Sequence, residues 1–277
     1  MAAVVLALGA SLSWGFADFF GPLKGRTLGT LRVLFFVQIS GFVAIAIAVA
    51  VRGKGPHDAA VLLAIPAALS GTLGLFAYYR GMAVGAMSVV APIAGISAAV
   101  PVAVGLATGE RPSLVQVGGI VLALVGVGLA SRERQEGERR IAAGAGLALL
   151  AAIGFGGYFV PMHAAGAADF WWASLIFRST SLLVVLVAVV VTRPSLRMSV
   201  PDLAFVSAIG IGDLLGNVLF AAASGQHGLL SVTSVLASLY PIVTVALARV
   251  VLRERVERSQ QAGVVATLAG IAMITAG

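Results

Sequence analysis

The chain has 277 residues, of which 60% are hydrophobic and 10% charged, with a net charge of +7 from 18 Lys and Arg against 11 Asp and Glu. A soluble domain carries roughly 25% charged residues, so this composition excludes an ordinary soluble globule and calls for apolar surroundings. The lack of cysteine excludes disulfides, thiolate metal sites and cysteine nucleophiles, and the basic residues are scattered between apolar runs, without the dense basic and aromatic face that nucleic acid requires.

Apolar runs approach or exceed the roughly 18 residues needed to cross a hydrocarbon core of about 30 Å, and backbone groups in lipid must bond within their own segment. The predicted helices are 2–23, 31–51, 59–81, 86–107, 114–131, 142–163, 170–192, 201–225, 229–252 and 259–276. The first has no basic stretch before it and no cleavage pattern after it, so it is expected to be a retained helix and not a signal peptide. It carries Trp14-Gly15 and Asp18, which shares a face with Ser11. Lys24 and Arg26 follow it. The second opens with Arg32 and holds Gln38 in its interior; the third ends in Tyr78, Tyr79 and Arg80. Those tyrosines are read either as interfacial belt residues or as cavity walls.

The fourth run closes on Gly109-Glu110-Arg111, and Gln116 and Gly119 open the fifth. Residues 132–140, RERQEGERR, form a solvated linker between five helices and five. In the second half, Phe155-Gly156 and Pro161 lie in the sixth helix and Arg178 near the start of the seventh. An arginine at a helix end snorkels to headgroups, whereas one facing a cavity favours an anionic group; Arg32, Arg80 and Arg178 are open to both readings. Asp213 follows Pro201 by 12 residues, about 18 Å along a helix and close to mid-bilayer. Asn217, Phe220 and Ser224 continue its stripe. Intramembrane acids are functional candidates by default; the competing reading is an acid hydrogen-bonded to a neighbouring helix. Ser231, Ser234 and Ser238 share a face of the ninth helix near Tyr240 and Pro241, either as a cavity wall or as hydroxyls bonded to their own helix.

Counted from the two boundaries, Asp18 and Asp213 differ in depth by about 9 Å, which argues against a carboxylate pair and leaves Asp18 open to neutralisation by Lys24 or Arg26. Glu110 and Glu254 read as helix-end packing elements. Gly81–Gly85, Gly105–Gly109 and Gly212–Gly216 read as small-residue contacts between helices. Pro66, Pro92, Pro101 and Pro161 offer breaks like the one at Pro241.

The two halves repeat. Glu110 matches Glu254 at an offset of 144, and the same offset pairs Arg111 with Arg255, Gln116 with Gln260, Gly119 with Gly263, Gly126 with Gly270 and Gly81 with Gly225. Five helices per half is odd, so the second half enters the membrane from the other side. The expected fold is therefore an all-α membrane protein of ten transmembrane helices as two inverted five-helix repeats, 1–131 and 142–277, joined by a linker at 132–141. Fourteen Lys and Arg fall on the side of the odd-numbered connections and four, Arg52, Lys54, Arg111 and Arg178, on the side of the termini. The positive-inside rule then places the termini outside the cytoplasm.

In order and spacing, Trp14-Gly15, Lys24, Arg32, Gly109-Glu110-Arg111, Gln116, Gly119, Arg253-Glu254-Arg255, Gln260 and Gly263 resemble the EamA-type family of the drug/metabolite transporter superfamily. The resemblance covers nearly the whole chain. It implies ten helices, a central cavity between the halves and export or exchange of small metabolites. Members are often drawn with both termini cytoplasmic, opposite to the charge count. Phe155-Gly156 and Arg253 depart from the pattern.

The expected function is secondary transport of a small polar or amphipathic metabolite, such as an amino acid, by alternating access. Its candidate binding residues are Trp14, Asp18, Arg32, Gln38, Tyr79, Asp213, Asn217, Ser234 and Ser238, with Asp213 as a candidate proton carrier. Multidrug efflux of lipophilic cations is the alternative, and a non-transporting receptor or scaffold the alternative of another class. An enzyme is not expected. His57, His163 and His227 lie near helix ends or in loops, no nucleophile, base and orienting group converge, and no metal or phosphate motif is present. The expected partners are a small-molecule substrate and the lipid bilayer of the plasma (inner) membrane, with no cofactor, no metal and no nucleic acid; the oligomeric state is left open.

Overall fold

The computed structural model describes residues 1–84, 94–130, 138–226, 229–251 and 258–276. Every regular element among them is helical: α1 Ala2–Leu28, α2 Thr30–Arg52, α3 Ala64–Val84, α4 Ala99–Ala107, α5 Leu114–Ala130, α6 Glu138–Thr192, α7 Val200–Ser224, α8 Leu230–Ala237, α9 Tyr240–Val251 and α10 Arg258–Ala276. Short 3₁₀ turns at Ala59–Leu63 and Ile96–Ala98 lead into α3 and α4. Glu254 with its flanking arginines, His227, Pro92, Gly85 and most of the charged linker lie outside the described residues.

Among the described residues, five stretches are long and apolar enough to cross a membrane: Ala2–Leu28, Thr30–Arg52, Ala59–Met82, Gly146–Thr192 and Val200–Ser224. The fourth has 47 residues, about 70 Å at 1.5 Å per residue, more than twice the hydrocarbon thickness. Asp169 divides it, with non-helical φ −160° and ψ 105°. Its Oδ1 accepts from the Trp171 and Trp172 N–H groups, at 2.9 and 3.3 Å, which caps a new helix start. The predicted break between the sixth and seventh helices thus narrows to one residue.

Local chemistry sets the other ends. Gly29 (φ +92°) and Gly53 (φ +63°) supply the positive φ that ends α1 and α2. Ser113 and Gln116 form a reciprocal capping box at the start of α5. Ser199 caps α7, and Pro201 sits in its first turn. The predicted single helix at 229–252 is instead two, α8 and α9, separated by a turn at Ser238 and Leu239. Pro241 cannot donate to the preceding turn and restricts the residue before it.

Two sets of contacts define the ends of the bundle. At one, Lys24 Nζ pairs with Asp202 Oδ1 at 2.7 Å and Arg32 Nη1 donates to the Arg197 carbonyl at 2.9 Å. At the other, Arg52 Nη1 pairs with Asp169 Oδ2 at 2.7 Å and Trp172 Nε1 donates to the Lys54 carbonyl at 2.8 Å. Glu110, beyond α4, accepts the Leu230 and Ser231 N–H groups at 2.5 and 3.0 Å and so caps α8. Gly105 leaves room for that carboxylate; it serves the cap, and not the helix contact expected of Gly105–Gly109.

α1 packs along α7, α3 against both segments of α6, and α5 along α10. The α5–α10 crossing is backbone to backbone. A Cβ on Gly119 would lie 2.7 Å from the Gly270 carbonyl oxygen, and one on Gly126 the same distance from that of Gly263. Between them Thr267 Oγ1 donates to the Ala123 carbonyl at 3.5 Å. The contacts run in opposite senses along the two helices, so α5 and α10 are antiparallel. Large apolar side chains such as Leu12, Phe16, Ile47, Leu73, Val121 and Val190 face outward, as lipid contact requires. The polar groups lie inside.

Candidate functional site

A cavity of about 70 Å³, open on one side, lies among α1, α2, α3, α6, α7 and α9. α1 contributes Trp14 and Asp18, and α7 contributes Asp213 and Asn217. Each pair is four residues apart and so projects from one helix face. Gln38 comes from α2, Gly71, Thr72 and Leu75 from α3, and Tyr240 from α9. α6 supplies Phe155, Tyr158 and Phe159 before Asp169, and Phe177 after it.

The aromatic lining falls into two clusters of touching rings. The Trp14 ring centroid is 5.7 Å from Tyr158, in an edge contact, and 6.1 Å from Phe159 and from Phe220. Tyr158 meets Phe177 at 5.3 Å, and Phe155 meets Tyr240 at 6.3 Å. Gly216 makes space for the indole, since a Cβ there would come within 2.9 Å of Trp14 Cγ.

Beneath the wall lies one charged knot. Arg178 is fully buried; Nη1 donates to Gln38 Oε1 at 2.6 Å and Nη2 to Asp213 Oδ2 at 2.5 Å. It lies nine residues past the cap at Asp169, about 13 Å along the helix, so it does not snorkel from a helix end. Its removal from the loop tally leaves Arg52, Lys54 and Arg111 on the side of the termini. Asn217 Nδ2 donates back to the Asp213 carbonyl at 2.8 Å.

Trp14, Asp18, Gln38, Asp213 and Asn217 are brought together by the fold; the other four candidates lie elsewhere. Arg32 is held at the bundle end by Arg197. Tyr79 is buried against Gly21 of α1. Ser234 is fully buried within α8, and Ser238 donates to the Val235 carbonyl of its own helix at 2.9 Å. The depth argument separating Asp18 from Asp213 fails, because α1 continues to Leu28 and Lys24 does not mark its boundary. Asp18 is 6% exposed and has no hydrogen bond or ion pair among the described residues. Lys24 is engaged by Asp202, and Arg26 donates to the Met82 carbonyl. The sequence reading missed Arg178 as a site residue, along with the α6 aromatics and Thr72. The described residues contain no group of three His, Asp or Glu side chains able to hold a metal.

Comparison with known proteins places this arrangement. A family model described as "EamA-like transporter family" matches residues 1–132 and again residues 142–276. Among solved structures 27 chains match. One of them, described only as "Crystal structure of protein", aligns over 99% of this chain and 96% of its own with a TM-score of 0.78 at 16% identity; at that identity the likeness speaks for the fold alone. No curated protein matches the sequence significantly.

Proposed function

The chain belongs to the EamA-like transporter family, and from that premise we propose that it carries a small polar or amphipathic metabolite across the plasma (inner) membrane by alternating access. The observation that carries this reading is the cavity itself. Its walls come from α1, α2 and α3 on one side of the chain's midpoint and from α6, α7 and α9 on the other. Few polar groups converge there, within aromatic walls, as a small-solute site requires.

The proposed architecture is ten spans in two inverted halves, 1–131 and 142–277. The α5–α10 crossing supports it. Gly119 and Gly126 correspond to Gly263 and Gly270 at the 144 offset, and Gly119 meets Gly270 while Gly126 meets Gly263. Such reciprocity is the signature of a two-fold contact. Here the helices are antiparallel, so the axis lies across them and in the membrane plane. Rocking one half against the other would open the cavity to each side in turn. The basic end, with Lys24, Arg193 and Arg197, is proposed to face the cytoplasm.

Efflux of lipophilic cations is the second reading, favoured by Asp18, which has no ion pair among the described residues and lines the cavity together with aromatic side chains. Counterflow from purified protein in liposomes tests both, with amino acids, amines and lipophilic cations as solutes. Saturable exchange of a small metabolite, weakened by changes at Trp14 or Asn217, is the expected outcome. Flux of lipophilic cations alone would favour efflux. No flux of any solute from folded protein would count against transport and leave a receptor or scaffold.

A further inference from the structure

The cavity's charges do not balance. Among the described residues two carboxyl groups line it, Asp18 and Asp213, and no cationic side chain does. Asp213 is paired with Arg178, whose guanidinium is fully buried behind the wall and also committed to Gln38. Asp18 is left without a counter-ion among the described residues although it is 6% exposed. An ionised carboxylate in such a place is costly unless something pairs with it. The surrounding surface is aromatic: Trp14 stands one helical turn before Asp18, and Tyr240 and Phe155, whose ring centroids are 6.3 Å apart, line the same cavity.

We propose that the cavity binds a solute carrying a compact positive charge, an alkylammonium group, with Asp18 as its counter-ion and the Trp14 and Tyr240 rings as its walls. Aromatic faces attract such cations through the ring quadrupole, and more strongly when water is excluded. A carboxylate on the solute has no equivalent partner. Arg178 would have to release Asp213 to receive it, and the remaining wall is acidic or aromatic. Amines are therefore preferred over the amino acids that share their side chains, and anions are excluded. This rests on the reading of the cavity as the transport site, but it concerns recognition and is tested by binding alone.

The chain has three tryptophans, so replacing Trp171 and Trp172 by phenylalanine leaves Trp14 as a fluorescent reporter inside the cavity. Purified full-length protein in nanodiscs is titrated at pH 7 with 2-phenylethylamine, phenylalanine, 2-phenylethanol and 3-phenylpropionate, which share a ring and differ in charge. The expected order places the amine first, at least tenfold tighter than the zwitterion and the neutral alcohol, with the anion weakest. Asp18→Asn is expected to abolish the amine's advantage. Tightest binding of the zwitterion or the anion, no binding of the amine, or an unchanged preference in the variant would each overturn the proposal. The wild-type series decides the matter even if the variant does not fold. Amine binding without flux would defeat the transport reading and leave the cation site standing; flux of uncharged or anionic solutes without amine binding would do the reverse.

Discussion

Arg178 and Asp213 form an unequal pair. Arg178 Nη2 lies 2.5 Å from Asp213 Oδ2, with the arginine side chain 0% exposed and the aspartate 13% exposed on the cavity face. Removing the carboxylate strands a buried cation, whereas removing the cation leaves an anion that cavity water can reach. Asp213→Asn is therefore expected to cost about 3 kcal/mol or more, and Arg178→Met less. The double variant should recover part of the loss. Thermal unfolding in detergent measures all three. An Asp213→Asn protein as stable as the wild type would show the pair to be dispensable.

Asp169 has two duties, pairing with Arg52 and capping the helix that begins at Trp171. Asparagine keeps a cap and loses the charge; alanine loses both. Asp169→Asn and Arg52→Ala should each lower stability modestly, by about 1 kcal/mol or less for a pair whose arginine is a quarter exposed. Asp169→Ala should cost about 1 kcal/mol beyond Asp169→Asn. Equal losses for the two aspartate variants would mean that the cap contributes nothing.

The absence of native cysteine makes the ends of the bundle open to direct labelling. Cysteines at Gly55 and Arg111 should react with an impermeant maleimide from one face of the membrane, and one at Ser195 from the other, because Lys54 bonds Trp172 whereas Arg197 bonds Arg32. All three positions are exposed. Labelling of Gly55 and Ser195 from the same face would contradict the fold.

At the α5–α10 crossing, a methyl group on Gly119 or Gly270 meets the facing backbone below 3.0 Å. Gly119→Ala and Gly270→Ala should each destabilise by about 1–3 kcal/mol through overpacking. Because both strain the same contact, the double variant should cost less than the sum. Strict additivity, read from unfolding transitions, would place the two glycines in separate contacts.

Much of the fold was legible because lipid imposes it: long charge-free runs are helices. Five cavity residues were legible because polar or amphipathic side chains inside those runs are costly. Arg178 met the same criterion but was grouped with the helix-end arginines, although the predicted helix 170–192 already placed it eight residues inside, and no residue near it marked which way the side chain faces. Tyr158, Phe159 and Phe177 gave no signal. Where both lipid and core are apolar, hydrophobic periodicity no longer distinguishes the inner face from the outer. Asp18 was assigned the wrong surroundings because its depth was measured from Lys24, which lies inside α1 and not at its end.

The burial of Arg178 also bears on how the chain enters the membrane. Segments leave the ribosome in order, so Gln38 is already in place when Arg178 arrives, but Asp213 follows 35 residues later. An arginine at mid-helix costs about 2.5–3.5 kcal/mol on insertion scales. Until α7 arrives, one neutral amide partner is all that offsets that cost. Full pairing of the buried arginine therefore waits until α7 is in place.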